Sequence, residues 1–108
     1  MRKALRVNTN KKYVYLIEFF GFHKIGVSND PFRRFKDLET AFPVDGELLA
    51  FGHFEDAYDA ERRFHKVLKD SRVKGEWFKL SNEKVLFVAK KMEYLLNETL
   101  EAKIKSLY

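Results

Sequence analysis

The sequence has no cysteine, only two prolines, two methionines and one tryptophan. Without cysteine there is no disulfide framework and no thiolate zinc site, so the core has to hold by packing alone. The missing thiols fit a reducing compartment, although they do not fix one. No apolar run reaches the roughly 20 residues of a membrane span. The basic start "MRKALRVNTNKK" lacks the hydrophobic core of a signal peptide. A cytoplasmic setting with no membrane partner is the expectation.

Phenylalanine and positive charge are plentiful. Eleven of the 108 residues are Phe, and hydrophobic residues make up 45%. A chain of this length is expected to form one domain, here 1–108. The formal net charge of +5 favours an anionic partner, of which nucleic acid is the commonest. Solubility alone accounts for a basic surface of this size equally well. There is no internal repeat, linker or low-complexity stretch.

Residues 1 to 12 read as a basic arm or an extra strand. "YVYLIEF" (13 to 19) is β-branched and aromatic and predicts a strand with apolar residues on both faces, hence a central one. "FG" at 20 and 21 reads as a tight turn, and "FHKIGV" (22 to 27) as the returning strand. Asn29 or Asp30 caps a helix over roughly 31 to 42, with Pro31 at its first position. "ELLAFGHF" (47 to 54) predicts a third strand. "EDAYDAERRFHKVLKDSR" predicts a second helix, capped by Glu55 or Asp56. "KGEWFKL" reads as a short extended segment or turn. A stripe from Val85 to Leu100, continuing through Ile104 and Leu107, predicts one long last helix over 81–108, capped by Ser81 or Asn82. The fold expected is α+β, a small three-stranded antiparallel sheet in β-β-α-β-α-α order flanked by helices.

The hairpin carries an unusual set of side chains. With a two-residue loop, Phe19 pairs with Phe22, Ile17 with Lys24 and Tyr15 with Gly26, so Tyr15, Lys24 and Gly26 share one face. A three-residue loop would put Tyr15 and Lys24 on opposite faces. Gly26, having no side chain, leaves a gap where a ligand could approach the backbone. Arg34 lies in the first helical turn, where free N–H groups and the helix dipole favour phosphate; taken alone, it is more simply a solvated charge beside Arg33. Glu61 and His65 are four residues apart on one helix face. A carboxylate at the edge of an apolar stripe can hold a hard divalent cation, or it can form an ordinary pair with His65, Arg33 or Lys69.

Taken together, these residues resemble the GIY-YIG nuclease superfamily. "YVY" (13 to 15) stands where GIY stands and "KIG" (24 to 26) where YIG stands. "DPFRR" supplies the arginine and "AERRFH" the glutamate. KIG in place of YIG, a histidine four residues after the glutamate, and the "GEWF" ending at 75 to 78 resemble the phage-associated branch. The likeness spans about residues 13 to 80. It implies a DNA endonuclease, in a bacterial cytoplasm or phage-infected host, that hydrolyses phosphodiester bonds with one Mg2+ or Mn2+.

On this resemblance Tyr15 activates or orients the water, Glu61 holds the metal, and Arg34 binds the scissile phosphate. Lys24 replaces the second tyrosine. It would act electrostatically and depress the pKa of a nearby tyrosine. His65 serves as a second acid or base, or orients Glu61. The alternative is a GIY-YIG-fold module with little or no catalysis that grips DNA or a host protein.

Other features have plainer readings. Trp77 and Phe78 could stack bases, but core is the expectation. His23 belongs to the opposite strand face, and His53 is structural. Arg62, Arg63, Lys66, Lys69, Arg72 and Lys74 either track a phosphate backbone or form a solvated helix face. The apolar stripe of the last helix packs on its own sheet, or pairs two copies into a homodimer.

Overall fold

β1 (Tyr13–Phe19) and β2 (Phe22–Ser28) pair antiparallel in the register set by a two-residue loop: Phe19 with Phe22, Ile17 with Lys24, Tyr15 with Gly26. The computed structural model describes residues 7–107; the first half of the arm or strand expected over residues 1 to 12 lies outside the described residues, and residues 7 to 12 form a turn and no strand. α1 (Pro31–Ala41) follows β2; the Asp30 side chain caps it by accepting from Arg33 N at 3.2 Å. β3 (Gly46–His53) pairs antiparallel with the other edge of β1. α2 (Ala57–Val67) is capped by Asp56, which accepts from Asp59 N at 3.0 Å. After a single 3-10 turn (Lys69–Ser71) come β4 (Arg72–Lys74), β5 (Trp77–Phe78), α3 (Asn82–Ala89), β6 (Tyr94–Leu95) and α4 (Glu98–Lys105).

The sheet has six strands in the order β4-β5-β2-β1-β3-β6, not the three expected. The three extra strands are two or three residues long, too short for side-chain alternation to show. The edges of β2 and β3 offer partners to β5 and β6, and β4 pairs in turn with β5. β5 pairs with His23 and Lys24, and β6 pairs with Ala50 and Phe51.

The long final helix is also corrected. After Ala89 the chain tightens, with Lys91 N donating to Val88 O and Met92 N to Ala89 O. It then crosses β3 closely at Gly52, where a Cβ would lie 3.1 Å from Met92 Cα. The chain re-enters the sheet as β6, and Asn97 starts a new helix by accepting from Leu100 N at 2.8 Å. Leu100 and Ile104 are buried in the chain's own core, whereas Leu107 is exposed. No helix among the described residues is long and apolar enough to cross a membrane.

β1 lies between two cores, which explains why "YVYLIEF" is apolar on both faces. Val14 and Leu16 join Ile25, Phe64, Phe78, Val88 and Leu100 on one side. Tyr13, Tyr15, Ile17 and Phe19 join Phe51 and, from α1, Phe35 and Leu38 on the other. Each such side chain removed from water contributes about 1.5–3 kcal/mol.

His23 points into the first of these cores, with its ring in one defined tautomer. Nδ1 accepts from Leu80 N at 3.3 Å, so the ring proton sits on Nε2, 3.2 Å from Glu18 Oε2. Burial holds its pKa below the usual 6.5, against the pull of Glu18 in the other direction. The unfolded chain therefore binds a proton at a pH where the folded protein does not. This share of stability is complete above about pH 6.5 and is lost as the pH falls below it. His23→Asn keeps an acceptor for Leu80 N–H and removes the titration. Urea unfolding from pH 7.5 down to 5 will show a shallower loss of stability in that variant.

Candidate active site

β5 covers only the first half of β2. Beyond Lys24, Ile25 N donates to Glu76 O at 3.2 Å, and the Ile25 carbonyl accepts from His65 Nε2 at 2.8 Å. A histidine from α2 thus takes the place of a strand partner. A carbonyl can only accept, so Nε2 carries the ring proton. Nδ1 of the neutral ring keeps its lone pair and remains an acceptor. Phe64, next to His65, is buried in the core and anchors this part of α2. Glu61 lies one turn earlier on the same face.

Tyr15 crosses from β1 to the same edge. It is only 1% exposed, and its phenol lies over Gly26. A Cβ at Gly26 would come within 2.6 Å of Tyr15 Cζ and 3.0 Å of Glu76 Oε1. The gap at Gly26 is therefore filled by the tyrosine ring and does not open the backbone to a ligand. The glycine is required by Tyr15.

Burial raises the Tyr15 pKa above its ordinary 10.0; the Arg34 guanidinium, within hydrogen-bonding reach, pulls it back, and the Glu76 and Glu61 charges push it up. The phenol is thus protonated at neutral pH and keeps an O–H to donate. The expected depression of a tyrosine pKa by Lys24 does not occur. The Lys24 ammonium is held instead by Glu76 Oε1 at 2.9 Å and lies 5.4 Å from the centre of the Trp77 ring.

Arg34 is exposed on the first turn of α1. The free N–H groups expected there are partly taken: Asp30 accepts from Arg33 N, and its carbonyl accepts from Arg34 N at 3.0 Å. Affinity for an anion at this point falls to the forked guanidinium.

Glu61 and Glu76 complete the cluster. Burial raises the Glu61 pKa, the adjacent Glu76 charge adds to it, and His65 and Lys24 oppose it. Two carboxylates side by side with one ammonium form an electrostatic arrangement that a cation would relieve. Among the described residues, no group of three or more His, Cys, Asp or Glu side chains is placed to hold a metal. The pair nonetheless fits a hard divalent ion such as Mg2+. Such an ion takes one or two carboxylates and fills its remaining positions with water and substrate phosphate.

The structure therefore brings together Tyr15, Lys24, Gly26, Arg34, Glu61 and His65 and adds Glu76, which the sequence reading missed. Its signal was present: an acidic residue lies inside the "GEWF" stretch, flanked by Gly75 and Trp77. Phe78 is fully buried, whereas Trp77 is only partly covered. Three concavities of about 410, 670 and 480 Å³ lie elsewhere, and none is lined by Tyr15, Arg34, Glu61 or His65. The cluster lies along the β2 edge, with Arg34 exposed, Glu61, His65 and Glu76 half-buried, and Tyr15 and Lys24 buried.

The family model of the T5orf172 domain matches residues 12–93, from the start of β1 to the turn before β6. The chain belongs to the T5orf172 domain family. This phage-associated domain is distinct from the GIY-YIG family itself, so the superfamily assignment suggested by the short motifs is corrected. "YVY", "KIG", an arginine and a glutamate specify a hairpin edge and two helix positions, and that geometry is too sparse to separate neighbouring families. The T5orf172 match continues past "GEWF", where the motif likeness ends. A nuclease-like or DNA-binding role is consistent with membership of this family. No curated protein and no solved structure matches the chain. In this T5orf172 domain the basic residues of α2 are partly engaged locally, since Asp59 pairs with Arg62 at 3.3 Å and Arg63 at 2.9 Å. Lys66, Lys69 and Lys74 are exposed.

Proposed function

We propose that this T5orf172 domain is a DNA endonuclease that hydrolyses phosphodiester bonds with a divalent cation, Mg2+ or Mn2+, held by Glu61 and Glu76. The observation that carries this reading is the grouping, along the β2 edge, of a carboxylate pair, an exposed guanidinium, a buried protonated phenol and a half-buried histidine. When bound, the cation supplies Lewis-acid polarisation of the phosphate and stabilises charge on the leaving oxygen.

The side chains do the rest. Arg34 grips the non-bridging oxygens and opposes their growing charge, a contribution of ~3–4 kcal/mol for one well-placed donor. The Tyr15 phenol, held in place by the bare backbone of Gly26, donates a hydrogen bond toward the reacting phosphate or the attacking water. His65 Nδ1 is the acceptor for that water's proton, with its tautomer fixed from behind by the Ile25 carbonyl. Lys24 keeps Glu76 in place and offsets part of the negative charge of the pair.

The test is cleavage of supercoiled plasmid, single strands and branched DNA in magnesium, in manganese and in chelator, with Glu61→Ala and Arg34→Ala alongside. Metal-dependent nicking that disappears in both variants is the expected result. DNA binding that survives in Glu61→Ala, with no cleavage by the wild type under any condition, would identify a binding module instead.

A further inference from the structure

Phe20 is 80% exposed at the tip of the β1–β2 hairpin, with a φ of +52°; Gly21 follows at +83°. Both loop residues have positive φ, the pattern of a type I′ turn, which Asn-Gly fits best. An aromatic residue at the first position is strained by about 1–3 kcal/mol and also exposes its whole ring to water. The fold gains nothing from it, because asparagine would make the same turn without either cost. An outlier of this kind is reason to look for a function at that position.

Phe20 forms one wall of a groove of about 480 Å³, with Phe22, Phe42, Val44, Val73 and Trp77 around it. Val73 is 57% exposed and Phe42 38%. Trp77 packs edge-on to Phe42 at 5.7 Å between ring centres, and Phe42 stacks on Phe19 at 4.7 Å. The only charged residue lining the groove, among those described, is Lys74. Two further ammonium groups lie over its rings, Lys24 above Trp77 at 5.4 Å and Lys79 above Phe22 at 5.0 Å. The occupant that suits aromatic faces bordered by lysines carries flat rings and negative charge along one chain. The groove is a neighbour of the cluster, because the buried Lys24 contacts both the Trp77 ring and the Glu76 carboxylate.

We propose that this groove stacks unpaired nucleobases of a DNA strand whose phosphate lies at the Arg34–Glu61 cluster; the proposal rests on the phosphodiester reading above. The domain then engages DNA where a strand is already open, at a nick, a branch or a single-stranded end. Stacking on such faces tolerates any base, so it confers preference for DNA structure and not for sequence.

Phe20→Asn tests the idea without harming the turn. A labelled oligothymidylate and a duplex of equal length are titrated in chelator, with anisotropy and Trp77 emission followed together. Trp77 is the only tryptophan in the chain and lines this groove, so its emission follows occupancy there. The single strand should bind more tightly than the duplex and quench Trp77. Phe20→Asn should weaken single-strand binding about tenfold, while duplex binding changes less than about twofold. Its melting temperature should hold or rise.

Cleavage by the wild type with equal single-strand affinity in Phe20→Asn, or with unquenched Trp77, overturns the groove proposal alone. A wild type that neither binds nor cuts DNA overturns the phosphodiester reading and this proposal with it. Self-association of the wild type that Phe20→Asn abolishes would assign the groove to a second copy of the chain and also overturn the proposal.

Discussion

Glu61→Gln will abolish cleavage and at the same time make the metal-free protein more stable. Removing the carboxylate should cut the nicking rate on the order of 10²–10³-fold, the usual loss when one charge-stabilising partner is deleted. The stability effect follows from the pKa, which lies above the ordinary 4.5 because Glu61 is partly desolvated and because Glu76 lies beside it. Between 4.5 and the higher folded value, the folded protein holds a proton that the unfolded chain has released. Stability therefore falls as the pH rises through that window, and at neutral pH the ionised carboxylate is a net cost. Glutamine keeps the shape and removes the charge.

Melting in chelator should be higher for Glu61→Gln than for the wild type at pH 7.5, with the difference vanishing near pH 4. Added magnesium should raise the wild-type midpoint by mass action and leave the variant unmoved. A variant that melts lower than the wild type, with an unchanged response to magnesium, would make Glu61 a structural residue of α2 and would remove the metal from the mechanism.

What the sequence disclosed depended on how far apart the interacting parts lie in the chain. The β1–β2 hairpin was legible in detail, because alternation over seven residues and a two-residue loop leave only one register that buries Tyr13, Tyr15 and Ile17 together. Asp30 and Asp56 were legible as caps for the same local reason. β5 was legible only as a short extended segment or turn, since its place in the sheet comes from pairing with His23 and Lys24 some fifty positions earlier. Glu76 was hidden along with it, because its place beside Glu61 is set by that pairing and by nothing nearby in sequence.

The last helix misled for the opposite reason. A stripe at helical spacing runs unbroken from Val85 to Leu100, yet burial of Tyr94 and Leu95 against β3 outweighs the local propensity there. Asn97, with Glu98 and Glu101 after it, was a readable helix start lying inside the apparent helix. The site was legible as a set of residue types, whereas their roles were not. That Gly26 accommodates Tyr15, and that Lys24 serves Glu76, needed the packing.

Gly26→Ala gives the sharpest test of that packing. The new methyl would meet the Tyr15 ring, with Cζ 2.6 Å away, and the ring is confined within the core. Overpacking of this kind costs about 1–3 kcal/mol. It also moves the phenol away from Arg34 and the carboxylate pair, and a displacement near 1 Å in a positioned group lowers a rate about 10²-fold. The two losses separate in a double-mutant cycle with Tyr15→Phe. The ring carbon still collides with the methyl in the double variant, so the stability penalty persists. The phenol is already absent, so Gly26→Ala should add almost nothing further to the loss of cleavage. Coupling in rate without coupling in stability would show that the glycine exists to seat a working hydroxyl. Additive losses in rate would mean that Tyr15 contributes only its ring to the fold and that the donated hydrogen bond plays no part in catalysis.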